Sequence, residues 1–178
     1  MNIKIINATP EDFTVVKNLV AYYIYDMSEF MGWNCNTTGQ WNGCGDLPDY
    51  WEKPNHHPYL IKVDENIAGF AMIRRFPNET QRFDIGEFFV IRKFKGQGVG
   101  KFAAFWLFNA FSGLWIVRVL DENSRAGGFY RNVISEYTDG NFKKTSETYV
   151  CPYSGSWPMQ YYRFNSKTSQ QKNAQASY

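Results

Sequence analysis

Phe88-Phe89-Val90-Ile91-Arg92-Lys93-Phe94-Lys95-Gly96-Gln97-Gly98-Val99-Gly100-Lys101 sets an apolar strand directly before three glycines at alternate positions. A helical pattern follows from about Gly100 to Phe111. Glycines let backbone N–H groups converge without a Cβ in the way. The start of the following helix adds its partial positive charge. Together they make an anion cradle suited to a phosphate group. Two common phosphate loops do not fit. A Walker A loop needs Gly where Lys95 stands and Ser or Thr where Phe102 stands. A Rossmann fingerprint begun at Gly96 needs Gly or Ala where Lys101 stands.

Upstream, Ile3 to Ile6 reads as a short strand. Thr9-Pro10-Glu11-Asp12 reads as a helix start, with Thr9 as N-cap and Pro10 at the first helical position. Phe13, Val16, Leu19, Val20, Tyr23, Ile24 and Met27 keep helical spacing to about Met31. Gly32 to Asn55 reads as an irregular or loosely helical excursion. Tyr59 to Val63, a turn at Asp64-Glu65-Asn66, and Ile67 to Arg75 form a hairpin. After a turn at 77–81, Phe83 to Ile91 is a strand buried on both faces. Downstream, Gly113 is expected to cap the helix that precedes it. Trp115 to Leu120 is a strand, Ser124 to Ile134 a helix, and 142–164 two strands around Pro152 and Pro158. The expected fold class is α/β, with a mixed, mostly antiparallel central sheet flanked by helices. Residues 1–164 read as one domain, and 165–178 as a polar, disordered tail.

Composition narrows the function classes. The chain has 178 residues, 44% hydrophobic and 20% charged, which suits one globular domain. A net charge of +2 gives no case for a nucleic-acid partner. No apolar run is long enough to span a bilayer, and no leader pattern opens the chain, so the expectation is a cytoplasmic protein without membrane contact. Cys35, Cys44 and Cys151 are too few for a disulfide framework. Cys35 and Cys44 with His56 and His57 match no common zinc spacing, so no metal is expected.

The glycine segment resembles the Gln/Arg-x-x-Gly-x-Gly/Ala signature of the GNAT N-acetyltransferase superfamily. Phe94 takes the aromatic position, Lys95 the basic one, Gly98 and Gly100 the glycines, and Val99 the aliphatic one. Lys95 keeps the charge of the usual Arg but not its planar fork. A second segment, Asn123-Ser124-Arg125-Ala126-Gly127-Gly128-Phe129-Tyr130, resembles that family's Asn-x-x-Ala-x-x-aromatic-Tyr pattern. The Glu-Phe-Phe-Val run at 87–90 resembles a less characterised bacterial branch. The family's usual Gly-Phe after the tyrosine is absent. The resemblance implies acetyl-CoA as cosubstrate. Its pyrophosphate would lie on Lys95, Gly96, Gln97, Gly98, Val99, Gly100 and Lys101. Its pantetheine arm would lie along Phe89, Val90 and Ile91 and near Asn123. Tyr130 would protonate the departing thiolate, since a phenol with pKa about 10 carries its proton at neutral pH.

Acetyl transfer to an amine also needs a proton acceptor. Glu87, in an apolar strand, suits a base; Asp84 and a water path are alternatives. Asn18 to Glu52 contains no Lys or Arg but holds Asp26, Glu29, Asp46, Asp49 and Glu52 among many aromatics, Trp33 included. Carboxylates beside aromatic faces favour cations. Asp26, Glu29, Trp33, Asp46 and Asp49 are therefore candidate contacts for a cationic small-molecule amine. A protein or peptide acetyltransferase and a non-catalytic acyl-CoA sensor are the rival readings. Aromatics in the final strands are compatible with a homodimer.

Overall fold

The computed structural model describes residues 1–41, 45–151 and 155–166. Cys44, Pro152 and 167–178 lie outside them. The strands are β1 (Ile3–Asn7), β2 (His56–Val63), β3 (Asn66–Phe76), β4 (Glu79–Val90), β5 (Gly113–Leu120), β6 (Phe142–Cys151) and β7 (Gly155–Ser166). The helices are α1 (Phe13–Met31), α2 (Asp49–Glu52), α3 (Val99–Ala110) and α4 (Ser124–Thr138). The class is mixed α/β with a mostly antiparallel sheet, as its sequence implies. The chain divides into two compact units. One is Met1–Arg74 with Gly86–Val99; the other is Arg75–Ile85 with Gly100 onward.

In the first unit, β1 pairs with β2 and β2 with β3, both antiparallel, and β4 follows in sheet order. The β2–β3 turn places Asp64 at φ 46° and Glu65 at φ 65°. Two left-handed residues in succession match the twist of a tight hairpin. The Asp64 side chain also accepts the Asn2 N–H at 2.7 Å, which ties the turn to the start of the chain. The Thr9 start holds: its N–H donates to the Asp12 carboxylate at 2.9 Å, and a single 3-10 turn over Pro10–Asp12 leads into α1. Val16, Leu19, Val20 and Ile24 form the buried stripe of α1 and pack on Leu60, Phe70, Met72 and Phe89. Gly32, at φ 63°, ends the helix. The excursion after it contains only the single turn of α2 among its described residues. It is pinned by Trp51, whose indole N–H reaches the carbonyls of Ala8 at 3.1 Å and Thr9 at 3.0 Å.

In the second unit, β4 pairs in parallel with β5 at Phe83↔Trp115 and Asp84↔Ile116. Beyond β5 come β7 and then β6, all antiparallel. Phe108 of α3 sits against Trp115, Tyr137 and Phe164, with ring centroids 4.9–5.1 Å apart. Three expectations need correction here. Gly113 does not cap α3; it opens β5, and its N–H donates to Ser166 Oγ at 2.8 Å. The helix after Asn123 runs to Thr138, four residues past the expected end. Tyr137 and Thr138 are buried there, and Asp139 at φ 53° supplies the left-handed stop. The last strand takes in Asn165 and Ser166, because the buried Ser166 hydroxyl also donates to the Phe111 carbonyl at 3.1 Å.

Candidate active site

The glycine segment begins as a 3-10 turn over Arg92–Phe94. The Phe94 N–H reaches the Ile91 carbonyl at 2.9 Å, and the Lys95 N–H reaches that of Arg92 at 3.1 Å. Phe94 is buried, which anchors the turn from below. Gly96 and Gly98 then adopt φ 78° and 81°, and no atom lies within 4 Å of where a Cβ would stand on either. Backbone conformation requires these glycines; crowding does not. The Gln97 side chain donates to the Lys93 carbonyl at 2.6 Å and closes the turn. α3 starts at Val99, whose side chain is fully buried. The first N–H groups of a helix have no partner inside it. An open, left-handed glycine turn running into those N–H groups is chemically matched to a pyrophosphate.

Charge around the turn is arranged by α1. The Asp26 carboxylate accepts from Arg92 Nη2 at 2.7 Å and from Lys95 Nζ at 3.2 Å. Partial burial disfavours its ionisation, but the hydrogen bonds from Arg92 and Lys95 outweigh that and hold its carboxyl below the ordinary value. Arg92 escaped the sequence reading, although it stands in the basic run 92–95. Lys101, in the first turn of α3, pairs with Glu136 at 2.5 Å.

Of the two candidate bases, Asp84 is fully buried and accepts from Arg118 Nε at 3.3 Å and Nη2 at 2.7 Å. The Arg118 guanidinium lies 4.3 Å from the Tyr149 ring centre and 5.0 Å from that of Phe76. This geometry gives Asp84 a structural partner. Glu87 is half-buried. Next to it, a Cβ on Gly86 would come within 2.1 Å of the Tyr50 hydroxyl, so the Tyr50 side chain reaches β4 where residue 86 carries no side chain.

Asn123 caps α4: its side-chain oxygen accepts the Ala126 N–H at 3.0 Å. That leaves its NH2 as a donor group at the helix start. Gly127, Tyr130, Ile134 and Tyr137 form the buried stripe of α4, at helical spacing. Gly127, one turn before Tyr130, faces β7. A Cβ there would stand 3.3 Å from Gln160 Oε1, and the Gly127 carbonyl accepts from the Tyr162 hydroxyl at 3.2 Å.

The acceptor-side carboxylates are less available than their sequence suggests. Besides Asp26, Asp46 pairs with Arg74 at 2.8 Å and Asp49 with Lys53 at 2.6 Å. Glu29 and Glu52 are exposed. Tyr22 and Tyr25 are 65% and 54% exposed on α1, and Tyr25 meets Trp41 edge-on at 5.7 Å. Trp33 packs partly buried on the first unit's core. Cys35 is exposed. Among the described residues no helix is long and apolar enough to cross a membrane.

Residues 21–133 match the model of the acetyltransferase (GNAT) family. No curated protein sequence matches the chain. Several solved structures share its fold at low identity. An acetyltransferase from Thermus thermophilus is 12% identical, with a TM-score of 0.66 over 93% of this chain and 97% of that one. The ribosomal-protein-S18-alanine N-acetyltransferase from Escherichia coli is 13% identical, with a TM-score of 0.60 over 94% and 96%. An aminoglycoside acetyltransferase in complex with coenzyme A is also 13% identical, with a TM-score of 0.59 over 99% and 100%.

Proposed function

The chain belongs to the acetyltransferase (GNAT) family, and from that premise we propose that it transfers the acetyl group of acetyl-CoA directly to a primary amine of a cationic small molecule. The observation that carries the cofactor half is the open turn with Gly96 and Gly98 in left-handed backbone at the start of α3. Lys95 to Lys101 would hold the pyrophosphate, Phe89 to Ile91 the pantetheine arm, and Asn123 would contribute its amide NH2.

In this reading Glu87 takes a proton from the bound ammonium. The neutral nitrogen then attacks the thioester carbonyl carbon. Backbone N–H groups near Val90 stabilise the charge that develops on the carbonyl oxygen. The C–N bond forms, the C–S bond breaks, and Tyr130 protonates the leaving thiolate. The proton shed by the new amide nitrogen returns through solvent to the tyrosine. No cysteine lies in either motif, so the transfer uses no acyl-cysteine.

The acceptor class rests on the absence of Lys and Arg from 18–52 together with the exposed aromatic face of α1. Glu29, exposed on α1 one turn from Tyr25, supplies a negative charge on that face. Asp26, Asp46 and Asp49, already paired, contribute less. The fold itself accommodates more than one acceptor class, since one neighbour is named for aminoglycosides and another for the alanine of a ribosomal protein.

The test is thiol release from acetyl-CoA against polyamines, aminoglycosides, amino acids and peptides. Turnover is expected on a polycationic small molecule. Tyr130→Phe should lower kcat by about 100-fold or more with the KM for acetyl-CoA little changed. Coenzyme A binding without turnover on any amine would favour the sensor reading, and turnover on peptides alone would favour a protein substrate.

A further inference from the structure

Gly69 lies in the middle of β3, within the buried run Ala68–Ile73, and nothing in its sequence context singles it out. A Cβ placed on it would stand 2.0 Å from the Phe89 carbonyl oxygen, 3.0 Å from that carbonyl carbon and 3.1 Å from Val90 Cα. The backbone of β4 at Phe89–Val90 therefore occupies the space that a side chain of β3 would fill. Both obstacles are backbone, so no rotamer change relieves them. Side chains in a regular sheet stand clear of the neighbouring strand's main chain. The close approach thus marks a local irregularity where β3 meets β4, next to Ala68, at which the β2–β3 register shifts between Ile61↔Gly69 and Lys62↔Ile67.

That close approach is held from several directions. The Phe89 ring is buried, with Phe70 at 5.9 Å and Tyr23 of α1 at 6.3 Å between ring centres. Lys95 Nζ lies 5.6 Å above the same ring. Immediately downstream, the Ile91 N–H donates to the Ala68 carbonyl at 2.8 Å. The Phe89–Val90 segment is thus fixed by the Phe89 side chain on one hand and by a backbone bond one residue beyond Val90 on the other. Glycine in a strand interior costs stability and commonly marks a place where another backbone comes close.

We propose that Gly69 is a positioning residue for the reaction. By lacking a side chain it lets the β4 backbone at Phe89–Val90 lie close against β3, on the course that presents the Val90 N–H to the thioester end of the pantetheine arm. The proposal rests on the functional reading above, because it assigns those backbone groups their ligand. Gly69 touches neither substrate nor reacting atoms; it acts through β4.

The experiment compares the affinities of the unaltered protein, Gly69→Ala and Gly98→Val for three ligands by calorimetry. The ligands are acetyl-CoA, coenzyme A and the isolated phosphoadenosine diphosphate portion of coenzyme A. Gly69→Ala is expected to weaken acetyl-CoA and coenzyme A by at least about 10-fold while leaving the nucleotide portion within about twofold. Gly98→Val should weaken all three, because it damages the phosphate turn itself. Equal weakening of all three ligands by Gly69→Ala would reduce Gly69 to a general packing role and overturn the proposal. Unchanged binding of acetyl-CoA would overturn it as well. If the Ala variant does not fold, isotope-labelled unaltered protein decides. The amide signals of Val90 and Ile91 should shift with acetyl-CoA and not with the nucleotide portion; signals that stay still overturn the proposal. If the unaltered protein binds no coenzyme A, the functional reading fails and takes this proposal with it. If it binds and only the Gly69 contrast is missing, the functional reading stands alone.

Discussion

The glycine turn at 95–100 and the acidic, aromatic segment at 18–52 both stand out in composition, yet the fold treats them differently. The turn keeps what its sequence offers. Gly96 and Gly98 sit in left-handed backbone with open space around them, and their conformation depends on near neighbours in the chain. The acidic segment loses much of its apparent charge to partners far away in sequence. Asp26 is matched by Arg92 and Lys95, and Asp46 by Arg74. A site written in the backbone is local and survives folding intact. A site written in net charge is only what remains after tertiary ion pairs have formed.

Breaking the backbone half of this contrast should give the largest effect. Gly98→Val puts a β-branched residue at φ 81°. Such strain costs about 1–3 kcal/mol. The chain can relieve it only by moving the N–H groups that precede α3. The expected outcome is a rise of about 10- to 100-fold in the acetyl-CoA Kd, with a smaller fall in Tm. An unchanged Kd would mean that the turn is a strand-to-helix connection and nothing more.

Asp46→Asn probes the charge half and should act on stability. The Arg74–Asp46 pair is largely enclosed, with side chains 12% and 19% exposed. Neutralising one partner leaves a poorly solvated guanidinium, at a cost of about 1–3 kcal/mol. Urea unfolding should therefore shift to a lower midpoint, with acetyl-CoA affinity unchanged. A raised acceptor KM at unchanged stability would instead return Asp46 to the acceptor site.

The same contrast explains what is legible in the sequence. The strand before the glycines, the turn, α3 and the start of α4 follow from spacing and local propensity, and the family match over 21–133 covers them. The sequence pattern ends α4 four residues early, at Ile134. Burial of Tyr137 and Thr138 carries the helix on. Gly113 looks like a cap because it follows a helix, whereas pairing of β5 with β7 starts there. The roles of Gly69, Gly86 and Gly127 are not readable from local sequence at all. Each faces an atom from another element: the Phe89 carbonyl at Gly69, the Tyr50 hydroxyl at Gly86 and, less tightly, the Gln160 amide at Gly127. Arg118 likewise gives no sign in its strand that it will take Asp84 as a partner.

Asp26 joins the two regions, and its replacement should have the smallest effect. Arg92 and Lys95 are 75% and 44% exposed at their side chains, so solvent screens both pairs. Asp26→Asn should cost no more than about 1 kcal/mol at neutral pH. Its signature is pH dependence. The carboxyl of Asp26 lies below its reference value of 3.8 in the folded protein. Its stabilising contribution is therefore full above that reference and disappears as pH falls through the lower, folded value. Unfolding free energy followed from pH 6 to pH 2 should fall less steeply in the Asn variant than in the unaltered chain below about pH 4, and the two curves should converge at the acid end. Added salt should narrow the gap at neutral pH, because exposed pairs are screened. Parallel curves across the whole acid range would show that Asp26 is not held by Arg92 and Lys95 in solution. The acidic segment would then keep one more carboxylate for a cationic acceptor.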